Sequence, residues 1–299
     1  MERQSQANSE RKTEEEFFKP SRATRVFIIW RKLRKSKLAV AGLGIVLFMS
    51  AIALLAPIIA PYGPEWSGAP SRAPPSMDYI FGTDAAGRDM LSLVMYGARN
   101  SLLVGFGAVF IEIVIATSLG MTAGYFGGLL DEIIMRITDV FLTLPTTPLL
   151  IVAICMFSAR GIFVMIFLMG VLGWPFMCRV VRSEFLSLRE STYVEAARSL
   201  GATRLRIIVR HILPNILSVI IVLATMDIPW YIFYEATLTY LGFGDPRSAS
   251  WGVLLEKGYL YMQSAWWMIT FPGLALLFTS LGFNIFGDGL RDALDVKAR

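Results

Sequence analysis

Charge is what this chain lacks most: acidic and basic residues make up 17% of its 299 positions, against about 25% in soluble domains. Histidine is nearly absent, and the single His211 leaves no cluster for a zinc or iron site. The two cysteines, Cys155 and Cys178, both fall in apolar runs, so a disulfide framework is not indicated. The chain contains no G-x-x-x-x-G-K-[ST] phosphate loop, so any ATP that drives it is expected to be hydrolysed by another chain, with no cofactor bound by this one. No Ser/His/Asp or Cys/His set supports covalent catalysis, and no fixed-period repeat is visible. Those gaps argue against an enzyme, a metalloprotein and a secreted disulfide scaffold.

What is present is long apolar runs, with 55% of residues hydrophobic. Six windows are long enough to cross ~30 Å of hydrocarbon as helix: Leu38–Ala60, Ser101–Tyr125, Ile137–Phe157, Gly161–Cys178, Ile216–Tyr240 and Trp266–Phe286. An all-α polytopic membrane protein with six transmembrane helices is the predicted fold. The first run is too long, and its charged leader too extended, for a cleaved signal. With the amino terminus in the cytoplasm, 22 of the 28 lysines and arginines fall on the inner side, as the positive-inside rule requires. Both termini are then cytoplasmic. The net charge of +5 reflects this bias and contact with anionic membrane lipid rather than nucleic-acid binding. The predicted layout is a polar tail over residues 1–37, a first helix over 38–60, an external segment over 61–100, five helices over 101–290 and a short tail over 291–299. Trp251, Tyr259, Tyr261, Trp266 and Trp267 fit an outer aromatic belt.

The most informative polar insert is EAARSLGATRLRIIVRHILP, Glu195–Pro214, within a cytoplasmic region over about 180–214. Thr192 and Glu195 have capping-box spacing. Tyr193, Ala196, Ala197 and Leu200 recur at i, i+3, i+4 and i+7, one narrow face of a short helix. Gly201 stands where a left-handed residue ends such a helix. Thr203 is placed to cap a second helix, and Leu213-Pro214 leads into the fifth span. Two alanines make the face shallow, which favours docking on another protein over resting on lipid, where larger apolar residues serve better.

Gly120, Gly124 and Gly128 form two small-xxx-small steps. They suit close helix packing within one subunit or between two. Gly82-Thr-Asp84-Ala-Ala-Gly-Arg88-Asp89 has the composition of a hydrogen-bonded turn. Asp84, Arg88 and Asp89 could lock the start of the second span or contact an external protein; Arg88 argues against calcium. Glu112, Asp139, Asp227 and Glu235 lie in or near spans, where each charge costs about 2.5–3.5 kcal/mol. Asp227, just before Pro229-Trp230, and Glu235 are candidates for a translocation pathway, with interhelical hydrogen bonding as the other reading.

Glu195-Ala196-Ala197, Gly201 and Leu213-Pro214 at these spacings resemble the cytoplasmic signature of ABC importer permeases. RHILP, with His211 where the broader family has isoleucine, resembles the peptide and nickel branch. Further motifs are YIFGTDAAGRDMLSLVMYGARNSL (Tyr79–Leu102), EATLTYLGFG (Glu235–Gly244), SWG (Ser250–Gly252) and the Trp266–Asp295 stretch. With these, most of the chain beyond residue 75 is similar to the "C" permease of dipeptide and oligopeptide importers. The resemblance implies a type I permease core of five helices with one added at the amino terminus, in a prokaryotic cytoplasmic membrane. It implies a coupling helix that docks on a cytoplasmic ATPase and carries Tyr193, Glu195, Ala196, Ala197, Leu200 and Gly201. The implied partners are a paralogous permease, two ATPase subunits that use the ATP, and an extracytoplasmic substrate-binding protein. Nickel chelates, glutathione, opines or antimicrobial peptides are alternative cargoes. A proton-coupled secondary transporter using Asp227 and Glu235 is the rival from another class.

Overall fold

The computed structural model describes residues 30–157, 161–246 and 248–294. Most of the predicted amino-terminal tail and the last residues of the carboxy-terminal one lie outside these. The regular structure of the described residues is helical, apart from an isolated bridge between Thr83 and Asp89, and the described parts of 60–89 and 241–250 are turns and irregular chain. The helices are α1 (Lys37–Ile59), α2 (Met90–Phe126), α3 (Gly128–Thr143), α4 (Thr146–Phe157), α5 (Ile162–Gly173), α6 (Pro175–Arg189), α7 (Thr192–Ser199), α8 (Arg204–Tyr240), α9 (Trp251–Tyr259) and α10 (Trp267–Leu294).

Four helices, α1, α2, α8 and α10, are long and apolar enough to cross a membrane, and the number rises to six if each of two bent pairs counts as one span. The bends have local causes. Between α3 and α4 the chain turns by 93° at Leu144, which is extended (φ −80°, ψ 135°) because Pro145 disfavours helical geometry in the residue before it. The third apolar window is thus a broken element and not a straight helix. Between α5 and α6 the 44° bend falls at Trp174, with Pro175 opening α6 at a position where its missing N–H costs nothing. Helix α8 passes through a π-turn at Ile207–Ile212. There the Asn215 side-chain amide donates to the His211 carbonyl at 2.5 Å, just beyond Pro214, which cannot donate.

Small residues set the helix spacing. A Cβ on Gly120 would lie 2.7 Å from the Cys178 carbonyl, and one on Gly124 would lie 2.6 Å from the Cβ of Phe185. Both glycines therefore seat α6 on α2 within this subunit. Gly128 has φ +59° and no neighbour at its Cβ position; it shapes the turn into α3 instead. Helix α1 buries the heptad-like stripe Ala39, Gly42, Val46, Met49, Ala53 and Ala56 against α10, where a Cβ on Gly42 would come within 2.7 Å of the Phe286 nitrogen. Its other faces leave Leu54 and Ile58 exposed, a surface suited to lipid.

Glu235 ties the centre of the bundle together. It is 2% exposed, and its carboxylate accepts from the hydroxyls of Ser250 at 2.7 Å, Thr239 at 3.0 Å and Ser101 at 3.3 Å. One side chain thus links α2, α8 and the cap of α9. Glu235, a candidate for the translocation pathway in the sequence, has its carboxylate enclosed by these three donors. Two tryptophans of the expected aromatic belt are also interior. Trp251 donates its indole N–H to the Val94 carbonyl and Trp267 to that of Thr83, both at 3.0 Å; Trp266 and Tyr259 remain exposed.

Two outcomes follow from this packing. Gly124→Leu drives a side chain into the α6 backbone and should destabilise the detergent-purified protein by about 1–3 kcal/mol, whereas Gly44→Leu, at a position with open space, should leave its melting temperature unchanged. Glu235→Ala strands three hydroxyls and should cost about 1–3 kcal/mol, with Glu235→Gln, which keeps an acceptor oxygen, costing less than half of that in the same melt. Equal losses for the two Glu235 variants would contradict the hydrogen-bonding role.

Candidate functional site

Helix α7 starts one residue earlier than its spacing predicts. Ser191 is the N-cap residue, and its hydroxyl donates to the Leu188 carbonyl at 2.6 Å instead of capping. Thr192 is therefore the first helical residue, and no capping box forms with Glu195. At the other end Leu200 is the C-cap, Gly201 has φ +80°, the Gly201 N–H donates to Arg198 O and the Ala202 N–H to Ala197 O. This is a Schellman motif, and it turns the chain sharply into α8, where Thr203 Oγ1 accepts from the Arg206 N–H at 3.4 Å.

The exposed face of α7 differs from the predicted one. Val194 and Ala197 are buried, and Val194 packs in a core of Phe185, Ile207, Ile212 and Ile216. Tyr193 is half-buried, and the Asn215 amide donates to its hydroxyl at 3.3 Å. Glu195, Ala196 and Leu200 are exposed, Leu200 by 89%. The predicted Tyr193/Ala196/Ala197/Leu200 stripe is thus split, with Ala197 serving as an internal contact. Half-buried Leu213 and Pro214 lie at the junction with the long part of α8. Beside α7 opens a cleft of about 880 Å³, lined by Glu195, Arg198 and Arg204 together with Tyr125, Phe126 and Arg189. The α7 surface is therefore an apolar knob at Leu200 beside a cleft of mixed charge.

The Asp84–Asp89 turn is closed on itself. Asp84 is 4% exposed; it accepts from the Ala86 and Arg88 backbone N–H groups at 2.8 Å and pairs with the Arg88 guanidinium at 2.6 Å. Asp89 caps α2, accepting from the Ser92 N–H at 2.8 Å and its hydroxyl at 2.7 Å. Both carboxylates are engaged by hydrogen bonds that hold the start of α2, the locking role the sequence allows for this turn, and Arg88 keeps partial exposure. Nearby, burial holds the Lys257 amine below the ordinary lysine range, with the Arg88 charge adding to the effect, while Lys257 donates to the Pro246 carbonyl at 3.0 Å.

Asp227 lies in a different setting from Glu235. It is half-buried on α8 and lines a cavity of about 520 Å³ between α2, α3, α4, α5, α6 and α8. The same cavity is lined by Glu112, Trp230, Tyr231, Tyr234 and Phe176. Glu112 is 3% exposed, and its Oε2 has no hydrogen-bond partner among the described residues. The sequence marks Glu112 as an ionisable residue in a span but carries no signal that it shares a cavity with Asp227. Asp139 is paired with Arg179, and Asp131 with Arg182 through two bonds, the second at 2.6 Å; these pairs fasten α3 to α6.

Comparison with known proteins assigns this architecture. Residues 116–299 match the family described as binding-protein-dependent transport system inner membrane component. Residues 26–75 match the N-terminal TM domain of oligopeptide transport permease C. The chain is 41% identical over 273 residues to the dipeptide transport system permease protein DppC of Bacillus subtilis, covering 90% of this chain and 85% of that protein. It is 38% identical over 270 residues to the oligopeptide permease OppC of the same organism, covering 90% and 88%. It is 40% identical over 273 residues to the glutathione permease GsiD of Escherichia coli, covering 90% of each. Among solved structures, a chain of the MetNI methionine ABC transporter in inward-facing conformations matches with a TM-score of 0.56 at 22% identity, covering 68% of this chain and 97% of that one, which supports the fold. The chain belongs to the binding-protein-dependent transport system inner membrane components: it is a multi-pass ABC importer permease subunit with the N-terminal domain of the oligopeptide permease C type.

Proposed function

We propose that this subunit forms half of the translocation pore for di- or oligopeptides, beside a paralogous permease, and that α7 is its coupling helix to one of two ATPase subunits. The observation that carries the reading is the geometry of α7. Val194 and Ala197 fasten it to the subunit core, the Schellman turn at Gly201 fixes its end, and Leu200 projects alone beside the charged cleft. An element anchored on one side and projecting on the other passes motion from a partner to the α8 span it precedes. Relatives at 38–41% identity named for dipeptides and oligopeptides support the cargo class. The glutathione permease, at 40%, supports a second reading in which the cargo is glutathione.

The lysine and arginine bias supports an orientation with both termini in the cytoplasm, which puts α7 on the ATPase side and the 61–89 segment on the side of the binding protein. ATP-driven closure of the ATPase pair then moves α7 and α8 together. Rigid-body motion of the two permeases switches the pore between outward and inward openings.

With cysteine at Ala196 or Leu200, bifunctional crosslinking to the co-expressed ATPase should succeed, and cysteine at the buried Ala197 should give little product; the reverse pattern would contradict this docking face. Leu200→Asp should leave assembly and basal ATP hydrolysis intact while reducing peptide uptake in proteoliposomes by roughly tenfold, equivalent to about 1.4 kcal/mol of lost coupling. Normal uptake in that variant would sink the coupling role.

A further inference from the structure

We infer that the cavity lined by Glu112 and Asp227 is a binding site for a cationic group, and that its occupant is the ammonium group of the cargo in transit. This rests on the peptide-permease reading and names the chemistry by which that pore would hold its substrate. The strongest observation is an unmet one. The Glu112 side chain is 97% buried by its 3% exposure, it lines the cavity, and its Oε2 finds no partner among the described residues. Glu235, on α8 of the same bundle, is by contrast enclosed by three hydroxyls. Buried polar groups are nearly always satisfied, so an unpartnered carboxylate oxygen on a residue that lines a cavity leaves a place for a donor brought by a ligand.

The rest of the lining specifies that donor. Asp227 adds a second carboxyl, and among the described residues no lysine, arginine or histidine lines the cavity. The group that best complements two carboxylates without a cationic partner is a positively charged donor. Around the acids stand Trp230, Tyr231, Tyr234 and Phe176, whose ring faces attract cations by cation–π contact. The rings are held in place. Trp230 and Tyr234 pack with centroids 5.0 Å apart, and the Tyr234 hydroxyl is 3.1 Å from Thr147 Oγ1. Tyr231 sits so close to Gly173 that a Cβ there would fall 1.8 Å from its hydroxyl. At about 520 Å³ the space is within the range of small-molecule sites and takes the amino-terminal end of a short peptide. The same charge could come from a basic side chain of the paralogous permease, and the test separates the two.

The complete complex of both permeases and both ATPases in nanodiscs, in a Cys155→Ser background, carries a solvent-sensitive fluorophore on Leu142→Cys, a lining position that leaves the four rings in place. It is titrated with alanyl-phenylalanine and with its N-acetyl analogue, which lacks the ammonium. Saturable binding of the free-amine dipeptide is expected, weaker by roughly tenfold for the acetylated form and by roughly tenfold in Glu112→Gln/Asp227→Asn. The single variant Asp227→Asn, at a half-buried position, should show an intermediate loss. Equal binding of the two dipeptides, unchanged binding in the variants, or no binding of either would overturn the proposal. Separation of the two permeases on size-exclusion chromatography in the double variant would also overturn it, assigning the cation to the partner subunit. If the complex takes up no peptide yet still discriminates the two dipeptides, the peptide-importer reading fails while the ammonium site stands.

Discussion

Inside hydrocarbon there is no water to complete a hydrogen bond, so each polar group in this bundle must be answered by another part of the chain or by something that passes through it. Most of the architecture obeys the first option. Glu235 gathers hydroxyls from α2, α8 and the α9 cap, the Trp251 and Trp267 indoles reach backbone carbonyls, and Asp131 and Asp139 meet arginines of α6. Glycines at positions 105 and 252 hold α8 close to α2 and α9, where the Glu235 bonds form. Glu112 takes the second option: it lines a cavity, and its Oε2 has no partner among the described residues.

The same division between closed and open surfaces organises the ends of the bundle. The turn carrying Asp84 and Asp89 is sealed by its own hydrogen bonds and holds the start of α2. Helix α7 is sealed on the Val194/Ala197 side and open on the Glu195/Ala196/Leu200 side. Because α7 runs through a fixed glycine turn directly into α8, which carries both Asp227 and Glu235, displacement at Leu200 has a short covalent route to the cavity.

Much of this was legible in the sequence, and the failures have physical reasons. Apolar run length located the long helices, and the positive φ of Gly201 follows from its position after a short periodic segment. A hydropathy window cannot see a bend, so Ile137–Phe157 read as one helix although Leu144-Pro145 turns it by 93°. Helical period identified α7 but not which side faces inward, since Val194 is buried by residues such as Phe185 and Ile216 that join it only in the fold. The different fates of Glu112, Asp227 and Glu235 were unreadable for the same reason: the Ser101 hydroxyl that meets Glu235 is 134 residues away. The aromatic belt misassigned Trp251 and Trp267 because an indole N–H can be satisfied by a buried carbonyl as well as at an interface.

The central claim is that α7 is fixed from within and free on the face that receives a partner. Hydrogen–deuterium exchange over residues 192–202 in nanodiscs, with and without the ATPase pair, tests it most directly. The account predicts that the Val194 and Ala202 amides, bonded to the Ser191 and Ala197 carbonyls, are slow in the permease pair alone. It further predicts that the segment slows as a whole when the ATPases bind. Exchange across 192–202 that is unaltered in a fully assembled, ATP-hydrolysing complex would contradict it.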